Sequence, residues 1–274
     1  MTKAVPLAAL LPSILLAAIC IGCDGSGRID VSPSTTGPGP STTYPSGMDE
    51  RLHAAATTGD LAAISAALAD GADPDARDAT GRTPLMAATH ARQAKAFGAL
   101  LPAGADVDLQ DDRLDNPFLY AGAEGLLDIV RLANEAGADP AITNRYGGVA
   151  VIPASERGHV EVVDYLLTET AVDVNHVNNL GWTALLEAIL LSDGGPRHQT
   201  IVALLIDHGA DVNLADGDGV APLAHARDRG RAEIVDLREA AGARRCPGPG
   251  LVPAGGHAPG LRPRGCVARC SRHP

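Results

Sequence analysis

Histidines, cysteines and a carboxylate-rich middle are the groups in this 274-residue chain that could do chemistry. Cys266, Cys270 and His273 form a C-x3-C-x2-H run, and Cys246 lies upstream. Three thiolates and an imidazole are donors that zinc takes tetrahedrally. The spacing matches no familiar site, however, and the Arg, Gly and Pro around it offer little apolar surface to fold on. In an oxidising compartment one disulfide with an odd thiol is the alternative, and a tail without function, or one read in a shifted frame, is another. Asp73, Asp106, Asp139, Asp173 and Asp211 recur in one local context and resemble calcium ligands. An Asp that returns at a turn more simply bonds its own backbone, and that is the expectation for these five. His90, His176 and His208 stand at no recognisable spacing from a Ser or Cys, and no nucleophile elbow, phosphate loop or zincin motif occurs. Binding without catalysis, cofactor or resident metal is therefore the expectation.

The elements that would position these groups repeat. Gly71, Gly104 and Gly137 each open a Gly-Ala-Asp, with a period of about 33 residues, and Gly209 and Gly242 are separated by the same interval. Between Gly137 and Gly209 the interval is two periods and about six residues, so a further copy with an insertion is expected there. ETAVDVN at 169–175 supplies it. Self-similarity at this period indicates stacked supersecondary units, each burying its apolar face on its neighbours.

The segments DATGRTPLMAA (78–88), ERGHVEVVDYLL (156–167), GWTALLEA (181–188), HGADVNLADGDGVAPLAHA (208–226) and LHAAATTGDLAAI (52–64) fall in one register. On these residues the chain resembles the ankyrin repeat family. The resemblance covers 48–243 and implies an all-α solenoid of about six copies, each a helix pair with a β-hairpin loop. It also implies that His53 and His159 are structural, their imidazoles bonded to neighbouring backbone.

Departures from the pattern carry their own expectations. Thr83 should cap the first helix of copy two, with Pro84 at its first position and Leu85, Ala87 and Ala88 facing the stack. Arg92-Gln93 replaces the usual Gly-His step, so the inter-helix turn of copy two should shift. In copy three Leu114 stands where a hairpin Gly is expected, and Asn116-Pro117 replaces Thr-Pro with an equally good cap. Pro153 removes an early helix hydrogen bond in copy four, so its first helix should start late or bend. The insertion 191–199 in copy five reads as a loop because of Gly194, Gly195 and Pro196. Asp49, Glu50 and Arg51 make a polar N-terminal cap, and Arg238 and Glu239 a polar C-terminal one.

Composition suits thin apolar layers: 45% of residues are hydrophobic and only 3% aromatic. Residues 48–243 hold 14 Lys and Arg against 31 Asp and Glu, a balance of −17, whereas 244–274 hold six Arg and no acid. An acidic body without a basic stripe argues against nucleic acid. Residues 1–23, MTKAVPLAALLPSILLAAICIGC, have a short basic start, a long apolar run and Gly22-Cys23, the form of an export signal. Cys23 resembles the lipidated cysteine of bacterial lipoproteins, although Cys20 stands where a Leu is usual. The alternatives are an ordinary cleaved signal and a retained anchor, which Pro6 and Pro12 make less attractive. Every version places the repeats outside the cytoplasm. Residues 24–47, rich in Ser, Thr, Gly and Pro, read as a disordered tether, and 244–274 as a disordered tail.

The expected working surface is the one ankyrin proteins use, the hairpin tips and the inner helices. Arg82, Arg113, Arg145, Tyr146 and Trp182 are the candidate anchors for a protein partner, since Arg and aromatic side chains dominate interface energetics. Packing of Trp182 on the adjacent hairpin is the alternative for that residue. The whole reads as a membrane-tethered, monomeric interaction module, with metal or redox work by the Cys-rich tail as the alternative.

Overall fold

In the computed structural model, which describes residues 47–236, copies two, three and five begin with a local device legible in their sequence. Thr83 Oγ1 accepts the Met86 N–H at 3.3 Å, Thr183 Oγ1 the Leu186 N–H at 3.2 Å and Asn116 Oδ1 the Leu119 N–H at 2.8 Å. Each satisfies an orphan donor of the first turn, and Pro84 and Pro117 follow where a missing N–H is harmless.

These caps open a series of helix pairs. Copy one is α1 Gly47–Thr58 and α2 Leu61–Ala69; copy two is α3 Pro84–His90 and α4 Ala94–Leu100; copy three is α5 Pro117–Glu124 and α6 Leu127–Glu135. Copy four is α7 Val151–Glu156 and α8 Val160–Glu169; copy five is α9 Ala184–Leu190 and α10 Pro196–Asp207. Copy six is α11 Pro222–Asp228, followed by helical residues 232–236. Among the described residues there is no strand, so the hairpins are closed turns rather than paired ladders. The stack is an all-α solenoid of six copies.

Packing is thin because the same positions recur as small residues. Ala55, Ala88, Ala121, Ala154, Ala188 and Ala226 occupy one position of the inner helix and are all buried. Around them sit Leu52, Leu85, Phe118, Val151 and Leu185 from the inner helices and Ile64, Phe97, Val130 and Val163 from the outer ones. A helix with alanine at its contact lets its neighbour approach closely, so the layers stay shallow and continuous. Leu85 and Ala88 are buried in the stack as expected, and Ala87, half-buried, packs against it beside a surface cleft.

Three expectations are corrected. The inter-helix turn of copy two does not shift: Arg92 takes the left-handed conformation, φ 58°, that Gly59, Gly125 and Gly158 take in their copies. Gln93 N–H then bonds Ala88 O at 2.9 Å, as Leu126 N–H bonds Ala121 O and His159 N–H bonds Ala154 O. Tertiary register outweighs the local penalty. The loop of copy five is shorter than 191–199, because Pro196 starts α10 and Arg197, His198 and Gln199 are helical. The insertion thus becomes a five-residue connection and an extra turn of helix. The first helix begins at Gly47, one residue before the expected boundary.

Two others hold. α7 starts at Val151, one position late against α3 and α5, because Pro153 has no N–H for Val149 O, which accepts Ile152 N–H instead at 3.0 Å. Leu114 replaces the hairpin glycine and pays the conformational penalty, with φ 60°. The export segment with Cys23, residues 24–46 of the tether, Arg238 and Glu239, and the tail with Cys246, Cys266 and Cys270 lie outside the described residues.

Candidate functional site

The turns between copies are built from one side-chain bond pattern. Asp78 Oδ1 accepts the N–H groups of Thr80 and Arg82; Asp111 does so for Arg113 and Asp115, and Asn144 for Tyr146 and Gly148. Asn178 serves Leu180 and Trp182, and Asp216 serves Asp218 and Val220. A short acceptor that reaches the backbone two and four residues on locks the turn without help from elsewhere. The Gly-Ala-Asp carboxylates behave likewise. Asp73, Asp106, Asp139, Asp173 and Asp211 each accept the N–H two residues on at 2.8–2.9 Å. Their recurrence is turn chemistry.

Neighbouring turns are tied to one another. Asp75 accepts Asp106 N–H at 2.8 Å, Asp108 accepts Asp139 N–H at 3.0 Å and Asn175 accepts Asp211 N–H at 2.6 Å. Burial, followed by the neighbouring carboxylates, lifts Asp75 and Asp108 above the ordinary range, against the pull of these same bonds. Gln110 Nε2 donates to Leu114 O and Thr143 O, and Asn179 N–H to Tyr146 O at 2.9 Å. The tips are thus held in a fixed row.

Five side chains occupy the same place at the top of these turns: Thr80, Arg113, Tyr146, Leu180 and Asp218, each on the residue two beyond the turn acceptor. Of the expected anchors, Arg113 and Tyr146 stand on this row, and Tyr146 is 53% exposed. Arg145 is beside it, its guanidinium 4.5 Å from the Tyr146 ring centre and 3.6 Å from Asp115. Arg82 and Trp182 are not on the row. Both sit four residues past the acceptor, at the foot of the turn, and both are half-buried. Arg82 is 3.7 Å from the buried Asp111 carboxylate, and its Nε has no hydrogen-bond partner. The register of the turn acceptors would have separated the two classes. Leu114 and Leu180, 49% and 57% exposed, are aliphatic tip residues, which Arg and aromatic character does not single out in the sequence.

On the inner helices, His90 and Tyr120 stack across copies two and three with ring centres 3.8 Å apart. Burial, and then the Arg82 charge, holds His90 below the usual imidazole range. A cleft of about 350 Å3 beside it is lined by His53, Ala54, Thr57, Asp78, Arg82 and Ala87, among others. Further along, Glu187 is buried on α9 and takes a 2.8 Å hydrogen bond from Asn178 Nδ2. Its desolvation, reinforced by the Glu156 charge, pushes its carboxyl up to about 7. In the next copy His225 Nε2 meets Asp216 Oδ2 at 2.6 Å, joining the same two positions as the Asn178–Glu187 pair.

The remaining imidazoles serve the backbone. His53 Nε2 bonds Ala76 O at 2.8 Å, His159 Nε2 bonds Ala123 O at 3.1 Å and His176 Nε2 bonds Gly147 O at 2.7 Å. His198 Nε2 bonds Glu156 O at 3.0 Å and so takes in α10 the part His159 takes in α8. A carbonyl only accepts, so each Nε2 carries the proton. Among the described residues no group of three or more His, Cys, Asp and Glu is placed to hold a metal, and no helix is long and apolar enough to cross a membrane.

A family model for ankyrin repeats in three copies matches residues 46–111, 118–216 and 151–239. The putative ankyrin repeat protein YahD of Escherichia coli K12 is 43% identical over 69% of this chain and 94% of its own length. Human cyclin-dependent kinase 4 inhibitor B is 34% identical over 45% of this chain and 90% of its own length. Among solved structures, an ankyrin repeat domain from Acinetobacter baumannii AYE superposes with a TM-score of 0.68 at 54% identity. It covers 70% of this chain and 97% of that one.

Proposed function

The chain belongs to the ankyrin repeat family, and from that premise we propose that it is an extracytoplasmic, membrane-tethered module that binds a protein partner and catalyses nothing. One observation carries the binding half of the reading. Five turns of the same backbone geometry present five different side chains, Thr80, Arg113, Tyr146, Leu180 and Asp218, in a fixed row. Uniform scaffolding with varied tips is what recognition of an irregular surface needs, and no nucleophile–base pair competes with it. A relative named as an inhibitor of a kinase acts, by that name, on another protein, which supports the same reading.

The tether half rests on residues 1–23, whose basic start, apolar run and Gly22-Cys23 fit a lipid-modified export signal. A lipid on Cys23, followed by a Ser/Thr/Gly/Pro stretch, holds the monomeric solenoid near the outer side of a membrane. Detergent phase partitioning checks this half: the parent enters the detergent phase and Cys23→Ala, cleaved elsewhere or not exported, does not. A full-length mutant that still partitions would identify a transmembrane anchor instead. The binding half is checked by cross-linking in the native membrane fraction, where Arg113→Ala with Tyr146→Ala should remove a species that the parent captures. An unchanged set of captured proteins would rule it out.

A further inference from the structure

Most of the exposed large hydrophobic side chains in the described residues gather on three adjacent turns. Leu114 is 49% exposed, Tyr146 53%, and Val177 and Leu180 44% and 57%. They belong to copies three, four and five. The turns that carry them are held together by Gln110 Nε2 to Thr143 O, Arg145 to Asp115, His176 Nε2 to Gly147 O and Asn179 N–H to Tyr146 O. The strip is therefore rigid as well as apolar.

Leu114 adds an independent argument. It has φ 60° at the place where Gly81, Gly147, Gly181 and Gly219 have φ 70–78°. A branched side chain in the left-handed region is strained, and half of this one faces solvent, so the core does not explain its presence. Packing among the described residues does not account for an exposed leucine kept in strain at the tip of a rigid turn, whereas a segment bound there would.

Charge identifies that occupant. The body of the solenoid is acidic, yet the guanidiniums of Arg113 and Arg145 flank the strip, and Arg113 is exposed with no carboxylate of the described residues within 4 Å. Within the tips themselves, 111–115, 144–148 and 178–182, the exposed carboxylate is Asp112, and it lies against Gly81 of copy two. An acidic segment is repelled elsewhere and accepted here.

Resting on the interaction reading above, we propose that Leu114, Tyr146 and Leu180 form a docking strip for an extended acidic segment of the partner that carries apolar side chains at about every third residue. The spacing follows from packing. Neighbouring helices lie about 8–10 Å apart, and a segment in the polyproline-II form advances about 3.1 Å per residue with about three residues per turn, so every third side chain faces the strip and meets a tip.

Fluorescence anisotropy on the full mature chain tests the proposal with labelled peptides of about nine residues. The probes are a Glu-Leu-Asp repeat, the same peptide with Ser for Leu, and a Lys-Leu-Lys repeat. The acidic leucine peptide should bind at least about tenfold more tightly than either of the others. Leu114→Gly with Leu180→Ser should weaken it by about tenfold or more, with the melting curve no lower than the parent's in the single Leu114→Gly variant. Added salt should weaken binding through Arg113 and Arg145. Equal binding of the lysine peptide, no binding of any peptide, or full binding by the double variant would each overturn the strip. If the peptides fail while the cross-linked species still depends on Tyr146, the strip falls and the interaction reading stands; if no tip variant alters the captured species, the interaction reading falls too.

Discussion

Asn178 Nδ2 donates a 2.8 Å hydrogen bond to Glu187 Oε1, and so ties the turn of copy five to the inner helix that follows it. The bond favours a charged carboxylate, but burial and the Glu156 charge outweigh it and hold Glu187 at about 7. A carboxyl raised in the fold binds its proton more tightly there than in the unfolded chain. Its contribution is therefore most favourable below about pH 4.5 and is lost as pH rises to about 7.

Glu187→Gln keeps the acceptor for Asn178 and removes the charge. At pH 8 the variant should be more stable than the parent by roughly 1–2 kcal/mol, with the difference closing towards pH 5. Urea unfolding at a series of pH values measures it, and a variant less stable than the parent at pH 8 would contradict the assignment.

Asn116 caps α5 but leaves its own Nδ2 buried and without a partner. Thr83 and Thr183 do the same capping with a hydroxyl. Asn116→Thr should therefore raise stability by about 0.5–1 kcal/mol, whereas Asn116→Ala, which removes the cap, should lower it by about 1–2. Thermal unfolding of the two variants side by side separates cap from amide.

Arg92 holds a left-handed backbone that three other copies assign to glycine, and its only ion pair among the described residues, with Glu124, is exposed. Arg92→Gly should relieve more strain than it adds in unfolded-state entropy, raising the melting midpoint by a degree or more, to about 4 °C. A fall in the midpoint would mean that the arginine side chain holds copies two and three together.

Trp182 and Tyr146 should behave oppositely. Trp182 is half-buried at the foot of its turn, so Trp182→Ala should lower stability by about 1–3 kcal/mol. Tyr146 projects from the tip, and Tyr146→Ala should change stability by less than about 0.5 kcal/mol. Calorimetry of both variants decides whether the tryptophan serves the fold or the surface.

The period of Gly-Ala-Asp and the segments in register around it determine the repeat number, the helix pairs and the family from sequence alone, because one local pattern returns, with departures, in every copy. Thr83, Asn116 and Pro153 act within one turn of helix, and their effects follow from residue type. What the tertiary structure decided are the cases in which register overrode a local preference. Arg92 and Leu114 accept left-handed backbone because the helices on either side are already fixed by their neighbours. His198 lies in a helix rather than the expected loop, and from there its Nε2 reaches Glu156 O of the preceding copy. Arg82 and Trp182 fall back from the tips because the turn acceptor, counted from Asp78 and Asn178, places them two residues beyond the exposed position. The raised carboxyl of Glu187 depends on burial and on Glu156 from another copy, and proximity across the stack is a property that no single repeat contains.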